Sequence, residues 1–125
     1  MIQLLPFGYP RTHFYEGIKI KYDNLYEIGQ GGPEVGSLLF DGINHFPKYF
    51  FGGPLLINAN YIYIPVFIRT WIGTSFKLGK INLNLLSIEL IGKKEHLILV
   101  DKIQNISLFY FTDINNSIVK VIQIE

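Results

Sequence analysis

Residues Asn58–Asp113 read NANYIYIPVFIRTWIGTSFKLGKINLNLLSIELIGKKEHLILVDKIQNISLFYFTD. Short apolar and β-branched runs alternate with Asn, Gly and Asp, and no stretch sustains a 3.6-residue period. That pattern predicts strands joined by tight turns. Tyr61–Ile68 is the strongest run, and Thr74–Leu83, His96–Val100 and Ile106–Thr112 follow it. Leu85–Ile91 lies in a Leu-rich segment that tempts a helix reading. The segment is short and bounded by Asn82, Asn84 and Gly92, so a strand is expected.

The same punctuation extends in both directions. Ile18–Tyr22 alternates with period two, placing Lys19 and Lys21 on one face. Asp23-Asn24 reads as a turn before Leu25–Ile28, and Val35–Phe40 ends at the turn pair Asp41-Gly42. Leu55–Asn58 precedes the quoted block and Ile118–Ile124 closes the set. A lone alanine, Ala59, and heavy use of Ile, Phe, Tyr and Val suit a pleated surface and disfavour helix. The expectation is all-β: one domain over residues 1–125, built as an antiparallel meander. Strands spaced by about 10–11 residues fit propeller blades, and the chain is too short for a whole propeller. An incomplete, half β-propeller is therefore expected, with a β-sandwich as the alternative.

Gly-Gly-Pro occurs twice, at Gly31–Pro33 and Gly52–Pro54, each just ahead of an apolar strand. A phosphate cradle is a poor reading. Gly31 and Gly36 have the P-loop separation, but Ser37-Leu38 follows where Lys-Ser/Thr is required, and Glu34 breaks the dinucleotide pattern. Strand-entry corners are expected instead.

Composition narrows the function classes. The formal charge is +1, with two Arg in the whole chain, so no basic surface is available to track nucleic acid. With no cysteine, a disulfide framework, a thiolate zinc site and a cysteine nucleophile are all excluded. His13, His45 and His96 show no metal-ligand spacing, so no metal and no cofactor are expected. Asp41, His45 and Lys48 are the one combination that acid–base chemistry could use, and no nucleophile elbow accompanies any serine. The chain is read as non-enzymatic. The N-terminus lacks a basic leader and no apolar run reaches membrane-helix length, which predicts a soluble, cytoplasmic protein.

Eight Tyr, ten Phe and one Trp are the most informative feature. His45–Phe51 packs four of these aromatics into a loop. Aromatics with a polar tip are favoured at protein interfaces. Acids gather in the first third of the chain, where Glu16, Asp23, Glu27, Glu34 and Asp41 stand against Arg11, Lys19 and Lys21.

The blade-like block at 60–113, in a small cysteine-free β domain with no active-site pattern, resembles the half-propeller immunity proteins of contact-dependent growth inhibition systems. The resemblance rests on strand pattern and size. It implies a cytoplasmic antidote that binds a cognate toxin's C-terminal domain, a nuclease and in some members an RNase A-like one, and blocks its active site. It also implies a monomer binding toxin one to one. A basic toxin cleft calls for carboxylates beside aromatic anchors. The expected partner-binding residues are therefore Tyr22, Asp23, Tyr26, Glu27, Glu34 and Asp41. The alternative is a small-ligand-binding β domain with Phe46–Phe51 lining an aromatic pocket.

Overall fold

The structure, a computed structural model, describes residues 9–28, 32–70 and 73–124. Every regular element among them is a strand. β1 (Thr12–Tyr15), β2 (Ile18–Glu27) and β3 (Glu34–Phe40) form the first sheet. β4 (Leu56–Asn58), β5 (Tyr61–Thr70), β6 (Gly73–Asn82) and β7 (Ser87–Glu95) form the second. β8 (Leu99–Gln104), β9 (Ser107–Phe111) and β10 (Val119–Gln123) form the third. Each sheet is a sequence-consecutive antiparallel meander, and none closes into a barrel. No helix among the described residues is long and apolar enough to cross a membrane.

Two apolar cores bind the sheets into a stack. Ile20, Tyr22, Leu38 and Phe40 of the first sheet meet Ile62, Ile64, Val66 and Ile81 of the second. Tyr63, Phe67, Phe76 and Leu78, on the opposite face of the second sheet, meet Val100, Leu108 and Tyr110 of the third. The central sheet is thus covered on both sides, which explains why β5 reads as an almost unbroken apolar run. Pro65 sits within that central strand because its missing N–H faces away from β6. Its carbonyl accepts from Gly52 N at 2.9 Å, and in an antiparallel strand the amide of the same residue points the same way.

Two tight turns have hairpin geometry. Glu16-Gly17 joins β1 to β2 with φ of 47° and 81°, and Ala59-Asn60 joins β4 to β5 with 50° and 70°. Both pairs have the two positive φ values of a type I′ hairpin. Asp23-Asn24, in contrast, does not reverse the chain. β2 runs through it, with the register slipping between Asp23 and Tyr26 and Asn24 at φ 53°. Asn tolerates the left-handed region, and here that tolerance makes a bulge inside one strand. β1 was not expected, and β8 begins only at Leu99, so His96–Ile98 belong to the connection before it.

The second Gly-Gly-Pro is a corner, and its neighbours stitch two sheets together. Phe51 exchanges hydrogen bonds with Gly36 of β3 (2.7 and 3.0 Å), while Phe50 O accepts from Phe67 N of β5 at 2.9 Å. Gly53 lets the Tyr9 ring come close: a Cβ there would lie 2.4 Å from a ring carbon. Of the first element, Gly31 lies outside the described residues, and Pro33 immediately precedes β3.

Candidate functional interface

The β2–β3 pair distributes the six expected residues over four places. Ile20 and Tyr22 alternate inward, so Tyr22 is core, 3% exposed, and cannot be a partner contact. Its ring packs on Tyr9 with centroids 5.1 Å apart, and its hydroxyl donates to Gly52 O at 2.7 Å. Burial raises its pKa well above the ordinary tyrosine value. Asp23 is on the opposite face of the sheet, half-buried, across from Ser37. Asp41 stands beyond the end of β3, roughly 20 Å from Glu34 along seven residues of strand. Its carboxylate accepts the Lys19 amide at 2.9 Å and so closes the hairpin end. His45, exposed, stacks edge-on against Phe40 with centroids 5.9 Å apart.

Tyr26, Glu27 and Glu34 share the opposite end of the hairpin, with Tyr26 on one face of the sheet and the two glutamates on the other. The bulge at Asn24 resets the alternation, and Tyr26 emerges 45% exposed. It meets Phe50 edge to face, centroids 6.1 Å apart at 78°, and Phe50 is itself 41% exposed. Glu27 and Glu34 are directly opposite as Cα partners. Like charges so placed disfavour the pairing, and Arg11 offsets this by donating from Nη2 to Glu34 Oε1 at 2.8 Å. The Arg11 guanidinium also lies 4.8 Å from the centre of the Tyr9 ring.

Phe50 and Arg11 were not among the expected residues. Phe50 had a legible signal, since consecutive residues of an extended chain point to opposite sides and Phe51 is fully buried. Phe46 is buried as well, so the aromatic loop chiefly closes the core and presents Phe50 outward. Arg11 depends on β1 pairing with β2, which the sequence did not announce.

A cleft of about 580 Å³ opens beside this cluster. Ile28 and Pro33, each next in sequence to one of the two glutamates, form one wall. Thr74 and Phe76 of β6, His96 and Leu97 before β8, and Thr112, Asp113 and Ile114 after β9 line it from the other sides, so it lies where the ends of the three sheets meet. At its edge the Asp113 carboxylate accepts from Ser117 N (3.0 Å), Ser117 Oγ (2.6 Å) and Ile118 N (2.9 Å). These bonds, led by the Ser117 hydroxyl, hold its pKa below the ordinary carboxylate value. No family model, curated protein or solved structure matches the chain.

Proposed function

We propose that this chain is a cytoplasmic antidote that binds the toxic C-terminal domain of a contact-dependent growth inhibition toxin and occludes its active site. The half-exposed Tyr26–Phe50 pair, at the same hairpin end whose other face carries Glu27 and Glu34, is the observation that carries the reading. Rigid aromatics at the centre of a contact supply most of its energy, and carboxylates at the rim of the same hairpin end match a basic nuclease cleft. Both anchors sit on strand-bound backbone, Tyr26 in β2 and Phe50 hydrogen-bonded to β5, so little ordering is needed on binding.

The test is co-expression with the toxin domain encoded beside this chain. A one-to-one complex on size exclusion and protection of the host cell are expected. Combined Tyr26→Ala and Phe50→Ala substitution should weaken the complex at least tenfold (about 1.4 kcal/mol) while leaving thermal stability nearly unchanged. A chain that binds no neighbouring gene product and protects no cell refutes the proposal.

A further inference from the structure

The third sheet ends in a strand whose outer edge has no strand against it among the described residues. β10 is last in the order β10-β9-β8, and its ladder with β9 runs from Val119 to Gln123 without a register shift. Ile118 O accepts from Thr112 N at 3.1 Å, and Ile124 N donates to Ile106 O at 2.9 Å. Main-chain groups alternate in direction along a strand, so the even-numbered residues from 118 to 124 bond to β9. The N–H and C=O groups of Val119, Val121 and Gln123 therefore point away from β9, in the plane of the sheet. Their side chains share the outer face, where Val119 and Val121 are 56% and 53% exposed. Lys120 and Ile122 turn the other way, toward Glu95 and the second core.

The other sheet edges are protected in ways that β10 is not. β1 and β4 are only four and three residues long. β3 is bridged at Gly36 by Phe51. β7 runs through Lys93 and Lys94 with a register shift against β6, and β8 slips in register between Val100 and Lys102. Short strands, charges and bulges of this kind keep edges from associating. β10 has a regular ladder, and its single charge, Lys120, is drawn to Glu95 at 3.1 Å on the inner face.

We infer that β10 is where two copies of this chain associate, strand against antiparallel strand, about a two-fold axis through Val121. At that register Val121 meets Val121 of the second copy, and Val119 meets Gln123 on either side. All three outward-pointing residues of each strand then pair, with two main-chain hydrogen bonds per pair. Lys120 falls opposite Ile122 and keeps its own Glu95. Moving the axis to Lys120 leaves two such pairs within β10 and sets two ammonium groups opposite each other, which disfavours pairing. Moving it to Ile122 also leaves two pairs. Hydrogen bonding and charge thus select one register, and a strand complementary to itself fits a second copy. A symmetric pair consumes both edges, so association stops at two. One short strand per chain is far less than a permanent dimer buries, so the pair forms reversibly, with a Kd on the order of 10–100 μM. The first and third sheets pack on opposite faces of the second, so Tyr26 stays open in the pair. The inference is therefore independent of the antidote reading and leaves one toxin domain per chain.

Sedimentation equilibrium of the full chain between about 5 μM and 1 mM should show the mass climbing from one chain toward two. Val121→Lys puts like charges on the axis and should hold the chain at a single mass throughout. Its side chain is on the outer face, so the melting midpoint should stay within about 3 °C of the parent. The chain has no cysteine, so single cysteines report the register. Val121→Cys should form a disulfide-linked pair on mild oxidation, because opposed Cα atoms lie about 5.5 Å apart. Val119→Cys should not, since its symmetry mate is about 13 Å further along the strands. A single-chain mass at about 1 mM overturns the inference, and so does a dimer that survives Val121→Lys. Cross-linking of Val119→Cys as readily as Val121→Cys overturns the two-fold axis and its register.

Discussion

Replacing Tyr22 by Phe separates a core role from a contact role. The ring stays on Tyr9, 5.1 Å between centroids, and only the hydroxyl is lost. That hydroxyl donates to Gly52 O over 2.7 Å, and both residues are buried, so no water takes its place. A buried carbonyl left without its donor costs about 1–3 kcal/mol. For a chain of 125 residues each kcal/mol moves the melting midpoint by roughly 3–5 °C, so Tyr22→Phe should melt about 3–15 °C below the parent. Alkaline pH gives a second readout with a definite sign. Burial keeps the Tyr22 hydroxyl protonated in the folded state, whereas the unfolded chain ionises near pH 10. That contribution is fully present below pH 10 and is lost as pH rises further, so the gap between parent and variant should narrow above pH 10. The assay is thermal melting by circular dichroism from pH 7 to 11.5. A variant within about 1 °C of the parent at pH 7, with toxin binding reduced, would refute the assignment of Tyr22 to the core.

Gly53→Ala should lower the melting midpoint by about 5–10 °C, since its Cβ would lie 2.4 Å from the Tyr9 ring and overpacking of this kind costs about 1–3 kcal/mol; an unchanged midpoint would show that Tyr9 moves aside freely. Glu95→Gln should loosen β10, because Glu95 accepts from Lys120 Nζ at 3.1 Å and from Tyr110 Oη at 2.9 Å, and faster amide exchange across Val119–Gln123 is the readout. Parent stability should decline from pH 10 to 12, where the unfolded chain ionises tyrosines that folding holds neutral, Tyr9 and Tyr110 each being pushed up to about 12 chiefly by burial; a flat urea midpoint across that range counts against it. Asp113→Ala should raise exchange at Ser117 and Ile118. The wild-type protection, which needs a carboxylate whose pKa is depressed, should persist at pH 5 and fail only as pH falls below the ordinary Asp range.

The fold was legible wherever burial and period agree. β3, β5 and β9 were readable because their apolar residues face a core on one side or both, and Asp41-Gly42 was readable because its chemistry demands positive φ. β1 escaped because Thr12–Tyr15 offers no clean alternation, its largest apolar residue, Phe14, facing solvent at 74% exposure. The strand exists through its pairing with β2 across the Glu16-Gly17 turn, a hairpin whose turn carries neither Asn-Gly nor Asp-Gly to announce it. Asn24 shows the converse. A left-handed residue marks either a reversal or a bulge, and only the pairing of β2 with β3 decides which.

The same bulge governs the site. Without it, strict alternation from Tyr22 would turn residues 24 and 26 inward and place Tyr26 in the core. With it, Tyr26 emerges exposed two residues from the partly buried Ile28, and Glu27 comes opposite Glu34. The sequence could therefore name acids and aromatics of the right kind but could not sort Tyr22 from Tyr26, which share a strand and differ only by register. Removing the bulge tests this directly. Deleting Asn24 removes the extra residue and leaves Leu25 alone opposite Gly36, with Tyr26 still opposite Val35 and Glu27 still opposite Glu34. The Tyr26 ring therefore stays on the face away from Tyr22, and partner binding should match that of the parent. A deletion variant that folds but loses binding would mean that the face is set by the bulged backbone itself and not by the register of β2.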